Sequence, residues 1–321
     1  MSFFVIILNW NGKHDTLECL NSLQKVSTPH NVIIVDNGST DDSPQAIKAK
    51  FPLVTMLANK ENLGYAEGNN VGIRYALERN AKHLLILNND TTVDPLFLDG
   101  FLEVTQNHPE IKVLGAKPYL YEDRTRLDHL GGIWNNRTGQ FDLIGNREEG
   151  DKWTKLEPLD YVCGCALFAK AEVFQKIGTF EPRFFLFWEE SDWCSRARAA
   201  GFQPYFCPQA KLWHKVSASF TGGKAHTTYF WWRNRLFWIE RNCSRSQKLR
   251  LYFRTLLPEI ANLLKLYIIK KLQLFFLKLF NPKEEQEKRE KRLLNYKASL
   301  VGIKDYLFRR FGNGPSWLFK P

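Results

Sequence analysis

The sequence predicts an α/β fold, a doubly wound sheet with helices on both faces, followed by a helical extension at the C-terminal end. Three observations lead there. Short, strongly apolar runs alternate with stretches of helical periodicity early in the chain, as in a sheet buried on both faces. Each of these runs leads into a cluster rich in Asn, Asp and Gly. The net positive charge is confined to the C-terminal end.

Residues 4–8 (FVIIL), 32–35 (VIIV), 53–57 (LVTML) and 84–87 (LLIL) are too short for helices and largely lack polar alternation. Each reads as a strand covered on both sides. Asp15–Gln24, Ser43–Lys50 and Glu67–Asn80 read as the helices between them, the second introduced by capping residues Thr40–Asp42. Later, Val162–Ala169 reads as a strand interrupted by Gly164, and Glu172–Ile177 as a short helix. Residues 1–244 are assigned to one α/β domain and 245–321 to a basic, amphipathic helical region.

In such sheets ligands bind beyond the C-terminal ends of the strands. The residues found there are Asn9-Trp10-Asn11-Gly12, Asp36-Asn37-Gly38-Ser39, Asn62-Leu63-Gly64-Tyr65 and Asn88-Asn89-Asp90. One such cluster is turn chemistry; four on one sheet edge predict a pocket. No GxGxxG follows the first strand and no GxxxxGK[ST] occurs, so the dinucleotide and P-loop readings lose their main support. A nucleotide can bind by other means: Asp36 can accept from a base imide or a sugar hydroxyl, and Trp10 can contact a base face. In HLLILNNDTTVDP, residues 83–95, Asp90 offers a strand-end carboxylate, which suits a hard divalent cation such as Mg²⁺ or Mn²⁺. Asn88 and Asn89 could bond sugar or water around it. The competing reading is a strand-to-helix turn capped by Asn and Asp.

The aromatic run Phe184 to Trp188 delivers Glu189, Glu190 and Asp192, followed by Arg196 and Arg198 at helical spacing. A carboxylate against aromatic walls can have a raised pKa, which suits a general base. A helix start decorated with acids, with Asp192 paired to Arg196 four residues on, explains one or two of them without chemistry. His214 is a lone histidine after a short apolar segment and by itself reads as structural.

The net charge of +11 is unevenly distributed. Residues 1–244 hold 27 Lys/Arg against 28 Asp/Glu, and residues 245–321 hold 18 against 6. A nucleic acid or an anionic membrane suits such a segment; with no nucleic-acid-binding motif, a membrane surface is the expected partner and nucleic acid is not. Leu256, Ile260, Leu263, Leu264 and Tyr267 share one helical face opposite Lys265, as an interfacial helix requires. Packing on the catalytic domain or on a partner subunit is the other reading. KEEQEKREKR, residues 283–292, reads as a solvated helix or linker. No charge-free stretch is long enough to span a bilayer. The six cysteines form no disulfide or zinc pattern, and the run Phe3–Leu8 is too short for a secretory signal and lacks a basic lead. The expected location is cytoplasmic, peripheral on the inner face of the cell membrane.

The motifs VIILNWNG, VIIVDNGSTDDS, NLGYAEGNNVGI, LLILNNDTTVDP, CGCALFAKAEVFQKIGTFEPRFFLFWEESDWCSRARAAGF and WRNR occur in that order. The set resembles the family 2 inverting glycosyltransferases of the GT-A fold over about residues 3–242, and most of all the rhamnosyltransferase-like branch that builds bacterial surface polysaccharides. The resemblance implies a role for each matching residue. Asp36 would bind the nucleotide base, Asn9 and Asn11 would line its pocket, and Gly64 and Asn69 would lie near base, ribose or diphosphate. Asp90 would be the last acid of the metal motif, and His214 would help hold metal or diphosphate. Gly164 and Trp188 would border the acceptor. Glu190 would be the catalytic base, with Glu189 and Asp192 as alternatives. Arg233 and Asn234 would lie near the donor phosphates. Two departures stand out: the metal motif is Asn-Asn-Asp rather than Asp-x-Asp, and the base position holds Glu rather than Asp.

The implied reaction moves a sugar from a UDP- or dTDP-sugar, rhamnose being one candidate, to a hydroxyl of a glycan or lipid-linked acceptor, with a divalent cation and with inversion. Two rivals are weighed against it. A nucleotidyltransferase of similar core would carry a Gly-rich basic loop after the first strand, and NWNGKHD is a poor version. A non-catalytic sugar-binding or scaffold protein of the same fold would not need Asp36, Asp90 and the acids of 189–192.

Overall fold

The computed structural model describes residues 2–216, 224–277 and 283–319. They form two compact units, Met1–Trp134 with Phe141–Ser217, and Asn135–Gln140 with Ala218–Pro321. The first unit opens with β1 (Phe3–Asn9), α1 (Lys13–Leu23), β2 (Asn31–Asp36), α2 (Ser43–Lys50), β3 (Thr55–Ala58), α3 (Gly64–Glu78) and β4 (His83–Asn88). It continues through β5 (Thr91–Val93), α4 (Phe97–Asn107), β6 (Val113–Leu120), β7 (Gly131–Asn135), β8 (Gln140–Ile144), β9 (Glu157–Pro158) and β10 (Tyr161–Val162). It ends with β11 (Ala166–Lys170), α5 (Ala171–Ile177), α6 (Glu189–Ala199) and β12 (Pro204–His214).

The main sheet runs β3-β2-β1-β4-β11-β6-β12-β5, with β9 also on β12. Its apolar runs are buried on both faces. Phe3, Val5 and Ile7 of β1 face a core with Leu20, Leu23, Ile47 and Phe101 from α1, α2 and α4. Phe4 and Ile6 face the other way, into a core with Ile73, Phe174 and Trp193 from α3, α5 and α6. Period-two side-chain alternation in an unbroken apolar run thus supplies both helical layers.

The sheet is mixed rather than parallel throughout. β1 to β4 form the parallel half, while β11 runs antiparallel to both β4 and β6. The stretch read as one interrupted strand divides at Gly164: β10 pairs with β7 in a small second sheet, and β11 enters the main one. The third strand starts later than expected, at Thr55, because Leu53 lies in solvent. The capping expected before α2 is made by Asp41, whose carboxylate accepts from the Ser43 backbone N–H at 3.1 Å.

The second unit holds α7 (Ala225–Asn242), α8 (Arg245–Leu251), a π-helical turn Tyr252–Leu256, α9 (Leu257–Leu277) and α10 (Lys283–Leu307). Helix α7, which a division at residue 244 assigns to the first domain, packs on α10 in this unit. Tyr229 donates to Asp305 at 2.9 Å, and Tyr306 to Glu240 at 2.7 Å, fixing the pair. The charged run 283–292 is the start of α10, largely exposed over 287–292.

Candidate active site

The parallel strands bring their polar ends together. β1 and β2 pair so that Asn9 lies beside Asp36. Asn9 is fully buried, and its amide N–H₂ donates to Asp36 Oδ1 (2.9 Å) and Ser43 Oγ (2.9 Å) while its oxygen accepts from Thr16 (2.8 Å). Both ends of that amide are spent inside the protein, so Asn9 positions Asp36. The other Asp36 oxygen accepts from the Ser39 backbone N–H at 3.2 Å. Asn11 takes a left-handed conformation, φ 51°, and its side-chain oxygen accepts from the backbone of Thr40 (2.7 Å) and Asp41 (3.2 Å). It ties the loop after β1 to the loop after β2, with Trp10 half exposed between Asn9 and itself.

The end of β4 spreads its three polar residues in three directions. Asn88 accepts from the Tyr65 hydroxyl at 2.9 Å. Asn89 donates to Thr16 at 3.0 Å. Asp90 is buried, with Oδ1 3.3 Å from His214 Nε2. His214 arrives there because it ends β12, in register with Thr91 of β5. Its Nδ1 is 2.9 Å from Asp128. Burial alone would lower the His214 pKa, but hydrogen bonds to Asp128 and Asp90 outweigh it and raise it to about 10. Asp128 shows the reverse: burial would raise it, yet the His214 bond leaves it below the usual carboxylate range.

These residues fit a divalent cation. A carboxylate oxygen and an imidazole nitrogen converge in a buried position, and a second carboxylate holds the far nitrogen of the ring, the usual support of a metal-binding histidine. A cation would replace the proton on Nε2. Asp128, His129 and Cys163 also bring ligand atoms within 4.8 Å of one another. Asp128 is already engaged by His214, however, and Cys163 lies 3.6 Å from His129 and 3.4 Å from Cys165. Those contacts occupy Asp128 and Cys163, while the buried Nδ1 of His129 has no hydrogen-bond partner among the described residues.

Glu190 is the second residue of α6. The loop before α6 holds Phe185, Phe187 and Trp188 at φ 64°, 68° and 76°. Three left-handed non-glycine residues in so short a stretch are costly and persist only where the surrounding packing holds them. Gly64 permits this loop, since a side chain there would strike the Phe185 carbonyl. Gly64 therefore serves the loop, and Asn69, buried in α3, donates to the Tyr65 carbonyl at 2.9 Å. Trp188 caps α6 and packs against Phe141 at 5.7 Å. Gly164 lies under Glu190: a side chain at 164 would come within 3.3 Å of the Glu190 carboxyl carbon.

The three acids now separate. Asp192 is fully buried and bound to Arg196 at 3.0 Å, the helical pairing the spacing suggests. Glu189 is buried, and desolvation followed by repulsion from Glu190 pushes its pKa well up. Glu190 is raised by burial to about 7. Neither glutamate's Oε2 has a hydrogen-bond partner among the described residues. Cys163 bears electrostatically on both Glu190 and His214, so base and metal candidates share one neighbourhood.

Asp128, His129 and Cys163 are absent from the residues the sequence singles out, and Tyr65 is named there only as part of a strand-end cluster, with no role of its own. The signal for Asp128 and His129 was the dipeptide itself, two ligand-type residues two positions before Gly131-Gly132. Tyr65 joins Asn88 to the Gly164 carbonyl, at 2.9 and 3.0 Å. Arg233 and Asn234 belong to the second unit and are fully buried in it. The Arg233 guanidinium donates to the Asn234 side chain at 3.0 Å and to the Gly312 carbonyl at 2.6 Å.

A half-parallel sheet with buried acids at its strand ends and a helix-start carboxylate above it is a GT-A-type transferase domain. Solved structures agree at the level of fold. Staphylococcus aureus TarS 1–349 aligns with a TM-score of 0.54 at 13% identity, covering 96% of this chain and 92% of that one. The mannosyltransferase PcManGT from Pyrobaculum calidifontis, solved with GDP-Man and Mn²⁺, aligns at 0.56 and 14%, covering 96% and 87%. The sequence model of glycosyl transferase family 2 matches residues 4–178, and the chain belongs to that family. It is similar to the Mycobacterium tuberculosis N-acetylglucosaminyl-diphospho-decaprenol L-rhamnosyltransferase, 26% identical over 251 residues, 66% of this chain and 80% of that one. It is also similar to the Shigella flexneri dTDP-rhamnosyl transferase RfbF, 23% identical over 215 residues, 67% and 69% of the two chains.

Proposed function

We propose that this glycosyltransferase moves a sugar from a UDP- or dTDP-sugar, with rhamnose the first donor to test, to a hydroxyl of a glycan or lipid-linked acceptor in surface polysaccharide synthesis, with inversion and with a divalent cation. The observation that carries it is the division of labour among the carboxylates: buried Asp90 faces His214, buried Asp192 is bound to Arg196, and part-buried Glu190 stands over Gly164 with a pKa near 7. The relatives whose names carry rhamnosyl transfer, one to a decaprenol-linked sugar, support the choice of donor and acceptor class.

The reaction is a single displacement. Glu190 takes the proton from the acceptor hydroxyl. That oxygen forms a bond to the anomeric carbon while the bond from that carbon to the diphosphate oxygen breaks, its electron pair leaving with the diphosphate. Attack from the face opposite the leaving group inverts the configuration. When bound, a divalent cation would supply positive charge against the departing diphosphate; Asp90 and His214 would hold it, and Asp128 fixes the imidazole. Asp36, held by Asn9 and Ser39, accepts from the base. The anionic lipid surface on which such an acceptor resides makes a membrane-peripheral location on the cytoplasmic side part of the same proposal.

The test is Asp90→Ala. Titration of Mn²⁺ with UDP or dTDP should show lost cation binding in a folded variant, with transfer abolished. Intact cation binding and turnover would remove the metal assignment, and a product of retained anomeric configuration by NMR would remove the inversion.

A further inference from the structure

Helix α9 carries two apolar faces, and only one is used inside the protein. Leu263 and Leu274 of α9, and Leu256 just before it, are buried, at 9%, 7% and 0% exposure, and α9 packs on α10. On the other side Leu257, Leu264, Ile268, Leu272 and Phe275 are 48–64% exposed. Their spacings of seven, four, four and three residues keep them on one face of a helix. The single stripe expected from the sequence thus splits: Leu256 and Leu263 go inward, and Leu264 belongs to an outward stripe that continues to Phe275.

The charge around that stripe is one-sided. Residues 245–277 hold seven Lys/Arg and one acid, Glu259. Glu259 is spent on Arg235, at 2.6 Å. Lys265 and Lys271 are exposed on α9 itself, and Arg245, Arg250 and Arg254 are exposed just before it. No helix among the described residues is long and apolar enough to cross a membrane.

We propose that α9 docks this protein on an anionic lipid surface, lying in the plane of the interface with Leu264, Ile268, Leu272 and Phe275 among the acyl chains and its lysines at the headgroups. A second copy of the chain is the poorer occupant, since two such faces would bring like charges together. The inference rests on the proposed lipid-linked acceptor only for its purpose; the docking is a property of the helix.

The experiment is flotation of the full chain with vesicles of phosphatidylcholine alone and with added phosphatidylglycerol. The intact protein should float with the anionic vesicles, less so in high salt. The exposed triple variant Ile268→Gln, Leu272→Gln, Phe275→Gln should keep the parent's circular dichroism and lose at least about tenfold in vesicle partition. Neutralising Lys265 and Lys271 with Gln should cost about fivefold each. Both variants should still transfer sugar to a water-soluble acceptor. Anionic-vesicle binding that is absent in the parent, or equal in the triple variant, overturns the docking. A dimer seen by light scattering that the triple variant dissolves also overturns it, in favour of a second copy. Loss of soluble-acceptor transfer in the parent itself would instead refute the enzymatic reading and leave the vesicle result standing.

Discussion

Glu190→Gln should abolish the reaction and stabilise the protein at the same time. Burial raises the Glu190 pKa from 4.5 to about 7, so the folded state holds the proton more tightly than the unfolded chain does. The associated stability is complete below about pH 4.5 and is lost as pH rises through 7. At pH 8 the ionised carboxylate then costs the fold on the order of 3 kcal/mol, at about 1.4 kcal/mol per pKa unit. Gln keeps the shape without the charge. The variant should match the parent near pH 4.5 and exceed it at pH 8, by up to about 10 °C in Tm for a domain of this size. Turnover should fall at least about a hundredfold, the usual range for removing a general base. The parent's kcat/KM needs the ionised form. It should therefore reach about 10% of its plateau at pH 6 and about 90% at pH 8. Differential scanning calorimetry at both pH values and a pH–rate profile make the check. A flat profile between pH 6 and 8, or a variant less stable than the parent at pH 8, would refute the assignment of Glu190 as a desolvated base.

Asp36→Ala removes a buried carboxylate that Asn9 and Ser39 hold in place. Affinity for UDP or dTDP should fall roughly tenfold or more, the worth of a charge-assisted hydrogen bond of about 1.5–3 kcal/mol; equal affinities by calorimetry would contradict the base-binding role. Asp192→Asn weakens the bond to Arg196 beneath α6. Urea denaturation should register a loss of about 1–3 kcal/mol, the worth of a hydrogen bond to a charged group, since Arg196 keeps its bonds to the Ile177 and Thr179 carbonyls, while the folded fraction keeps its kcat. An inactive Asp192→Asn of unchanged stability would move the base from Glu190 to Asp192.

What could be read from the sequence followed from local physics. Unbroken apolar runs of strand length can be satisfied only between two helical layers, so β1, β2 and β4 and the helices between them lay close to where periodicity put them. The polar strand ends followed at once, because a parallel sheet gathers them on one edge. Strand direction and partnership were not legible, since an apolar run has the same period whichever way it points. The antiparallel β11 and the passage from one sheet to another at Gly164 are set by contacts distant in sequence.

The same distinction explains the site. Asp90, Asp36 and Glu190 were legible because each sits in a local pattern, a strand end or an aromatic approach. The supporting residues were not. Asp128 reaches His214 across a separation of 86 residues, and Tyr65 reaches Gly164 across 99, and local periodicity carries no information on partners so far apart. Asn9 shows the converse error. A strand-end asparagine looks like a ligand contact, yet its four protein hydrogen bonds leave it as the brace for Asp36. Composition marks where chemistry can occur; only the closed account of hydrogen bonds separates the group that meets a ligand from the group that aims it. By that account the pair that aims the candidate metal ligands is Asp128 through His214, and the group left with an unsatisfied oxygen over Gly164 is Glu190.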